Sequence, residues 1–140
     1  MTEDTISFLP SLDALEHKGC WLFPKMDSKM NEHGVFTIDT KEYKLGQHSK
    51  YSVELSIAAL EKVCYYEFGY TSGPDNYYGR YSPLCDTSEQ CVRNNTIENL
   101  KMFVCMSFDT RTENDRNLSS NGRSELRKLM KKLVEQITED

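Results

Sequence analysis

The stretch 52–81, SVELSIAALEKVCYYEFGYTSGPDNYYGRY, constrains the fold more than any other, because it joins the most core-like run of the chain to six of its eight tyrosines. At about 100° per residue Val53, Ile57, Leu60, Cys64 and Phe68 fall on one stripe, with Val63 on its flank. Leu55, Ala59 and Tyr66 lie on the far side, so only a narrow band around Glu54, Glu61 and Tyr65 is polar. A helix of that kind packs on two sides, and 52–68 is expected to be the central helix of the fold. Gly69 is placed to end it in a left-handed conformation, and Gly73-Pro74-Asp75-Asn76 reads as a turn with proline setting φ.

Tyr65, Tyr66, Tyr70, Tyr77, Tyr78 and Tyr81 crowd the end of this segment, interleaved with Gly, Ser, Asn and Arg80. Tyrosine offers a large rigid contact area with a polar tip, and loops of Tyr, Gly, Ser and Asn suit recognition of other proteins. Aromatic faces also stack on bases, and Arg80 can meet an anion, so a nucleotide-like ligand fits the same composition. The competing reading is structural, since aromatics favour strands and alternate tyrosines can cover a sheet. The candidate binding residues are Tyr70, Asp75, Asn76, Tyr77, Tyr78, Arg80 and Tyr81.

The remaining segments supply a sheet and a second helix. Residues 35–39 are β-branched and aromatic, and 41–45 is expected to return beside them as a hairpin. In 100–108, Leu100, Met102, Val104, Met106 and Phe108 alternate with Lys101, Phe103, Cys105 and Ser107, which predicts a strand packed on the central helix. Residues 86–89 offer a capping box for a short helix near Cys91, and a short helix at 11–17 precedes a short strand at 20–23. Residues 1–10 are expected to form a mobile arm, and 109–120, without apolar periodicity, a disordered polar loop.

In 123–137 the residues Leu126, Leu129, Met130, Leu133 and Ile137 form one stripe, with Asn121 as a cap, which predicts an amphipathic helix. The expected fold is a single α+β domain, with a small mostly antiparallel sheet packed against a central helix and a C-terminal amphipathic helix. At 140 residues one domain can bury roughly two-thirds of its unfolded surface without staples.

A net charge of −5 gives no global attraction for nucleic acid or anionic membrane. A local basic surface is the exception. Arg123, Arg127, Lys128, Lys131 and Lys132 share the polar arc of the last helix and, with Arg111 and Arg116, form the nucleic-acid alternative. The bland reading of this arc is a solvated face.

The N-terminus carries acidic residues and no apolar h-region, and no run approaches the roughly 18 residues of a membrane span, so a cytoplasmic protein with no membrane association is expected. Five cysteines scattered along the chain fit reduced thiols rather than a disulfide framework. Asn94-Asn95-Thr96 and Asn117-Leu118-Ser119 match glycosylation acceptors, which carry no meaning in that compartment.

His17-x-x-Cys20 and Cys85-x5-Cys91 do not match zinc-ligand spacing, and neither a P-loop nor a dinucleotide fingerprint can be drawn through the glycines. No cofactor and no metal are expected. An enzyme using His33, His48 or a cysteine is the third reading, though cysteines inside regular elements behave mainly as small hydrophobes. The leading expectation is a non-enzymatic accessory protein that binds a protein partner or a small anionic ligand through the tyrosine-rich loop. The apolar face of the last helix would also suit a homo-oligomer.

Overall fold

A computed structural model describes residues 22–23, 25–46, 50–60, 63–72, 75–78, 81–84 and 96–139, with only the backbone of 75–78 placed. Seven strands and two helices lie among them. They are β1 (Lys29–Met30), β2 (Phe36–Ile38), β3 (Lys41–Leu45), β4 (Tyr51–Leu60), β5 (Val63–Ser72), β6 (Asp75–Tyr78), β7 (Ser82–Pro83), α1 (Ile97–Glu113) and α2 (Ser120–Glu139). The fold is α+β, with every strand pair antiparallel. One sheet runs β3-β4-β5-β6, with β7 also on β5, and a separate small sheet pairs β1 with β2.

The segment expected to be the central helix is instead the β4–β5 hairpin, the longest pairing in the molecule. Val53 and Ile57 are four apart, a spacing that a helix stripe and one face of a strand share. The residues between them decide it: Val53, Leu55, Ile57 and Ala59 are all fully buried, while Glu54 and Ser56 on the other face are only partly buried. A β-branched, tyrosine-rich composition across 53–71 supports the same outcome. Gly69 does not end a helix. It sits inside β5, between Glu54 of β4 and Tyr78 of β6.

The reverse exchange occurs at 100–108, which is helix rather than strand. Leu100, Val104, Phe108 and Thr112 are buried at every fourth position of α1, while Met102 and Met106 between them are about half exposed. Thr96, in extended conformation, accepts a hydrogen bond from the Asn99 amide through its hydroxyl, and Glu98 lies in the first turn, so the N-terminus is capped and charge-complemented. Residues 109–120 do not form one continuous polar loop. They complete α1, make a short turn, and enter α2, where Asn121 lies within the helix and the Ser119 hydroxyl accepts from the Gly122 amide.

The stripe expected for the last helix is present: Leu126, Met130, Leu133 and Ile137 are buried with Leu129 packed against them. Gly122 allows α2 to approach β4, since a Cβ there would stand 3.1 Å from the Tyr51 ring and 3.0 Å from Leu118. Both helices cover one face of the larger sheet. Phe108 of α1 meets Phe68 and Tyr70 edge to face, and Phe103 stacks over Tyr66.

The expected 35–45 hairpin does not form as such. β2 pairs with β1, and β3 pairs with β4. Asp39, between them, takes a left-handed φ of 58°, its carboxylate accepts from the Asp27 amide and its carbonyl accepts from the Ser28 hydroxyl. The expected arm 1–10, the helix at 11–17 and the short helix near Cys91 lie outside the described residues, and of the strand expected at 20–23 only Leu22 and Phe23 are described, in a bend rather than a strand.

A candidate aromatic groove on the outer face of the sheet

The register divides β4 and β5 into two faces. Val53, Leu55, Ile57 and Ala59 oppose Tyr70, Phe68, Tyr66 and Cys64 beneath the helices. Ser52, Glu54, Ser56 and Ala58 oppose Thr71, Gly69, Glu67 and Tyr65 on the other side. That outer face is covered in part by the β1–β2 sheet. Ser28 anchors the cover to β4: its amide donates to the Ala59 carbonyl at 2.7 Å, and its hydroxyl accepts from the Ala59 amide at 2.9 Å.

The turn of this cover is held by Asn31, whose side-chain oxygen accepts from the amides of His33 and Val35, with Gly34 at φ 78° closing the loop. The turn thereby sets Phe36 against two tyrosines of the outer face. Its ring centroid lies 5.4 Å from Tyr65 and 4.8 Å from Tyr81, the latter edge to face. Between cover and sheet lies a groove of about 600 Å³ lined by Met30, His33, Gly34, Val35, Phe36, Tyr65, Glu67 and Tyr81.

Its chemistry is aromatic and acidic. Burial pushes the Glu67 carboxyl above its ordinary value; the Arg111 charge opposes this and Glu54 adds to it. Burial likewise raises Tyr81, whose hydrogen bond with Ser56 acts against that shift while Glu67 and Glu42 reinforce it. Glu42, Ser56 and Glu67 thus form one row across β3, β4 and β5, with Tyr81 over its middle. Glu42 pairs with Lys44 at 3.5 Å, whereas among the described residues no cation stands at salt-bridge distance from Glu67.

The residues singled out from sequence are dispersed. Tyr81 belongs to the groove. Tyr70 does not, being fully buried between the sheet and α1, with its hydroxyl donating to Asp115 at 2.9 Å. Asp75, Asn76, Tyr77 and Tyr78 form the edge strand β6 rather than a loop, and Arg80 lies outside the described residues. Phe36, Tyr65 and Glu67 were missing from the candidate binding residues. The alternation of Tyr65 and Glu67 with Tyr66 and Phe68 is the signal that places them opposite the core.

The basic residues also part company. Arg111 donates to the Phe68 carbonyl and lies over the Phe68 ring, and Arg123 donates to the Thr112 carbonyl at 2.8 Å. These two brace the helices. Arg116, Arg127, Lys128, Lys131 and Lys132 are exposed, with Lys128 paired to Glu125 at 3.2 Å.

For nucleophilic or metal chemistry the described residues offer little. His33 is exposed beside Glu32, and His48 lies outside the described residues. Cys64 is disulfide-bonded, with its partner outside the described residues, which corrects the expectation of uniformly reduced thiols; pairing follows spatial proximity that scattered positions do not reveal. Cys105 is free, and burial with Asp109 nearby pushes its thiol up, away from the thiolate form. Among the described residues no cluster of three or more His, Cys, Asp or Glu side chains could hold a metal ion, and no helix is long and apolar enough to cross a membrane. Compared with known proteins, the chain matches no family model, no curated protein and no solved structure.

Proposed function

We propose that the protein is a non-enzymatic binding protein that recognises a protein partner through the groove between the β1–β2 sheet and the outer face of β4–β5. The observation that carries this reading is the aromatic cluster Phe36–Tyr65–Tyr81 opening into a cavity with half-exposed Met30 and Val35 at its rim. Large apolar side chains left in contact with water around a concave site cost stability, and such patches mark binding surfaces. The tyrosines remain the recognition element expected from sequence, now with Tyr65 and Tyr81 in that role. A small anionic ligand fits this groove poorly, because Glu67 lies in it and Glu42 and Glu54 lie on the same face.

Nucleic-acid binding through α2 is the weaker alternative, since Arg111 and Arg123 are committed to backbone carbonyls. The cytoplasmic location expected from sequence has the disulfide at Cys64 against it, because cytosolic thiols are kept reduced.

Selection from a random peptide display library tests the reading. Peptides selected on the wild-type protein are expected to converge on a consensus and to lose about tenfold or more in affinity for Tyr65→Ser and Val35→Asn variants that melt cooperatively. A library that yields no consensus, or peptides indifferent to both substitutions, would rule the groove out as the partner site.

A further inference from the structure

Resting on that reading, we infer that the groove holds a side-chain cation of its partner, a lysine ammonium or arginine guanidinium, between the Glu67 carboxylate and the rings of Phe36, Tyr65 and Tyr81. Three observations converge on this chemistry. Phe36 contacts both tyrosines, so the groove presents several ring edges and faces to one occupant, and ring faces attract cations through their quadrupole. The carboxylate of Glu67 lines the same cavity and has no salt-bridge partner among the described residues. The surrounding charge is mainly acidic: Glu54 lies diagonally from Glu67 on the next strand and Glu42 two strands away in its row, while Lys44, opposite Glu54 on β3, is paired with Glu42.

Charge complementarity therefore selects the occupant. An anionic or phosphorylated segment would meet Glu67 in a partly desolvated site, where repulsion is stronger than in water. A wholly apolar segment would fill the groove but leave that carboxylate less hydrated and uncompensated. A basic side chain satisfies both halves, its aliphatic stem lying along Met30 and Val35 while its head meets the carboxylate. The positive field that Arg111 exerts on Glu67 comes from α1, on the opposite side of the sheet, and does not occupy the groove.

The direct test titrates the full chain with N-acetyl-lysine methylamide, N-acetyl-arginine methylamide and the neutral isostere N-acetyl-norleucine methylamide, following the aromatic NMR signals of Phe36, Tyr65 and Tyr81. Saturable shifts are expected from the two cationic probes, at least about fivefold tighter than from norleucine, with the advantage removed in Glu67→Gln. Equal binding of norleucine on the wild-type protein overturns the cation assignment without any variant being needed, and leaves the groove as an apolar partner site. A consensus from peptide selection that lacks Lys and Arg does the same. Absence of any consensus removes the underlying partner-site reading instead, so the two failures are distinguishable.

Discussion

Glu67 is a side chain whose burial works against the fold while it lines the proposed site. Its carboxyl is raised by burial in the folded chain, so the protonated form is favoured there relative to the unfolded chain, whose value is near the ordinary 4.5. The associated stability is fully present below that value and is lost as pH rises through the higher folded-state value. Glu67→Gln is therefore expected to raise the melting temperature at neutral pH, with a gain that fades as pH falls towards 4.5, as thermal melts across that range would register. A Tm unchanged or lowered at pH 7 would mean that the carboxylate is stabilised by a partner within the fold. Cys105 carries the opposite message: its thiol is also raised by burial, but it lies on α1 away from the groove and offers no poised nucleophile.

Elements in this chain were chosen by which positions fall between residues four apart. In β4 the intervening Leu55 is buried, and in α1 the intervening Met102 and Met106 are exposed, so two segments with similar apolar spacing took opposite structures. Their connections carry constraints of their own. Gly46, after β3, has φ 77°, and a Cβ there would stand 2.3 Å from the Tyr51 carbonyl oxygen, a clash with backbone that cannot swing away. Gly46→Ala is expected to cost more than about 1 kcal/mol, measurable as a lower denaturation midpoint at unchanged m-value. The amphipathic stripe of α2 was legible because five apolar positions recur among charged ones over about three turns, a pattern that no strand period reproduces.

Across the whole molecule, the link between sheet and helices passes through buried polar groups at the α1–α2 turn. Tyr70 of β5 donates to Asp115, whose other carboxylate oxygen accepts from the Asn117 amide, while Arg123 of α2 caps the Thr112 carbonyl near the end of α1. Tyr70→Phe keeps the ring against Phe108 but removes a donor from a carboxylate that is only 8% exposed. The expected cost is about 1–3 kcal/mol in chemical denaturation. Binding at the groove should be unchanged, since Tyr70 faces the helices and the groove lies on the other side of the sheet. A loss below about 0.5 kcal/mol would assign the turn's order to packing alone.

Sequence alone determined the terminal amphipathic helix, from a period that only a helix satisfies, and the tyrosine enrichment, from composition; the α+β class came out as expected although two of the segments behind it exchanged structures. It did not determine which of two segments is the hairpin and which the helix, since i, i+4 spacing serves both and burial on both sides of β4 blurs its alternation. Only the tertiary structure brought the candidate site together. Phe36, Tyr65, Glu67 and Tyr81 come from three separate stretches, and antiparallel register together with the Ser28 anchor brings them to one face. Register shifted by one residue would turn Tyr65 and Glu67 into the core and Tyr66 and Phe68 out to solvent. The burial of Val53, Leu55, Ile57 and Phe68 beneath the helices forbids that shift, so the core that holds the fold also aims the groove.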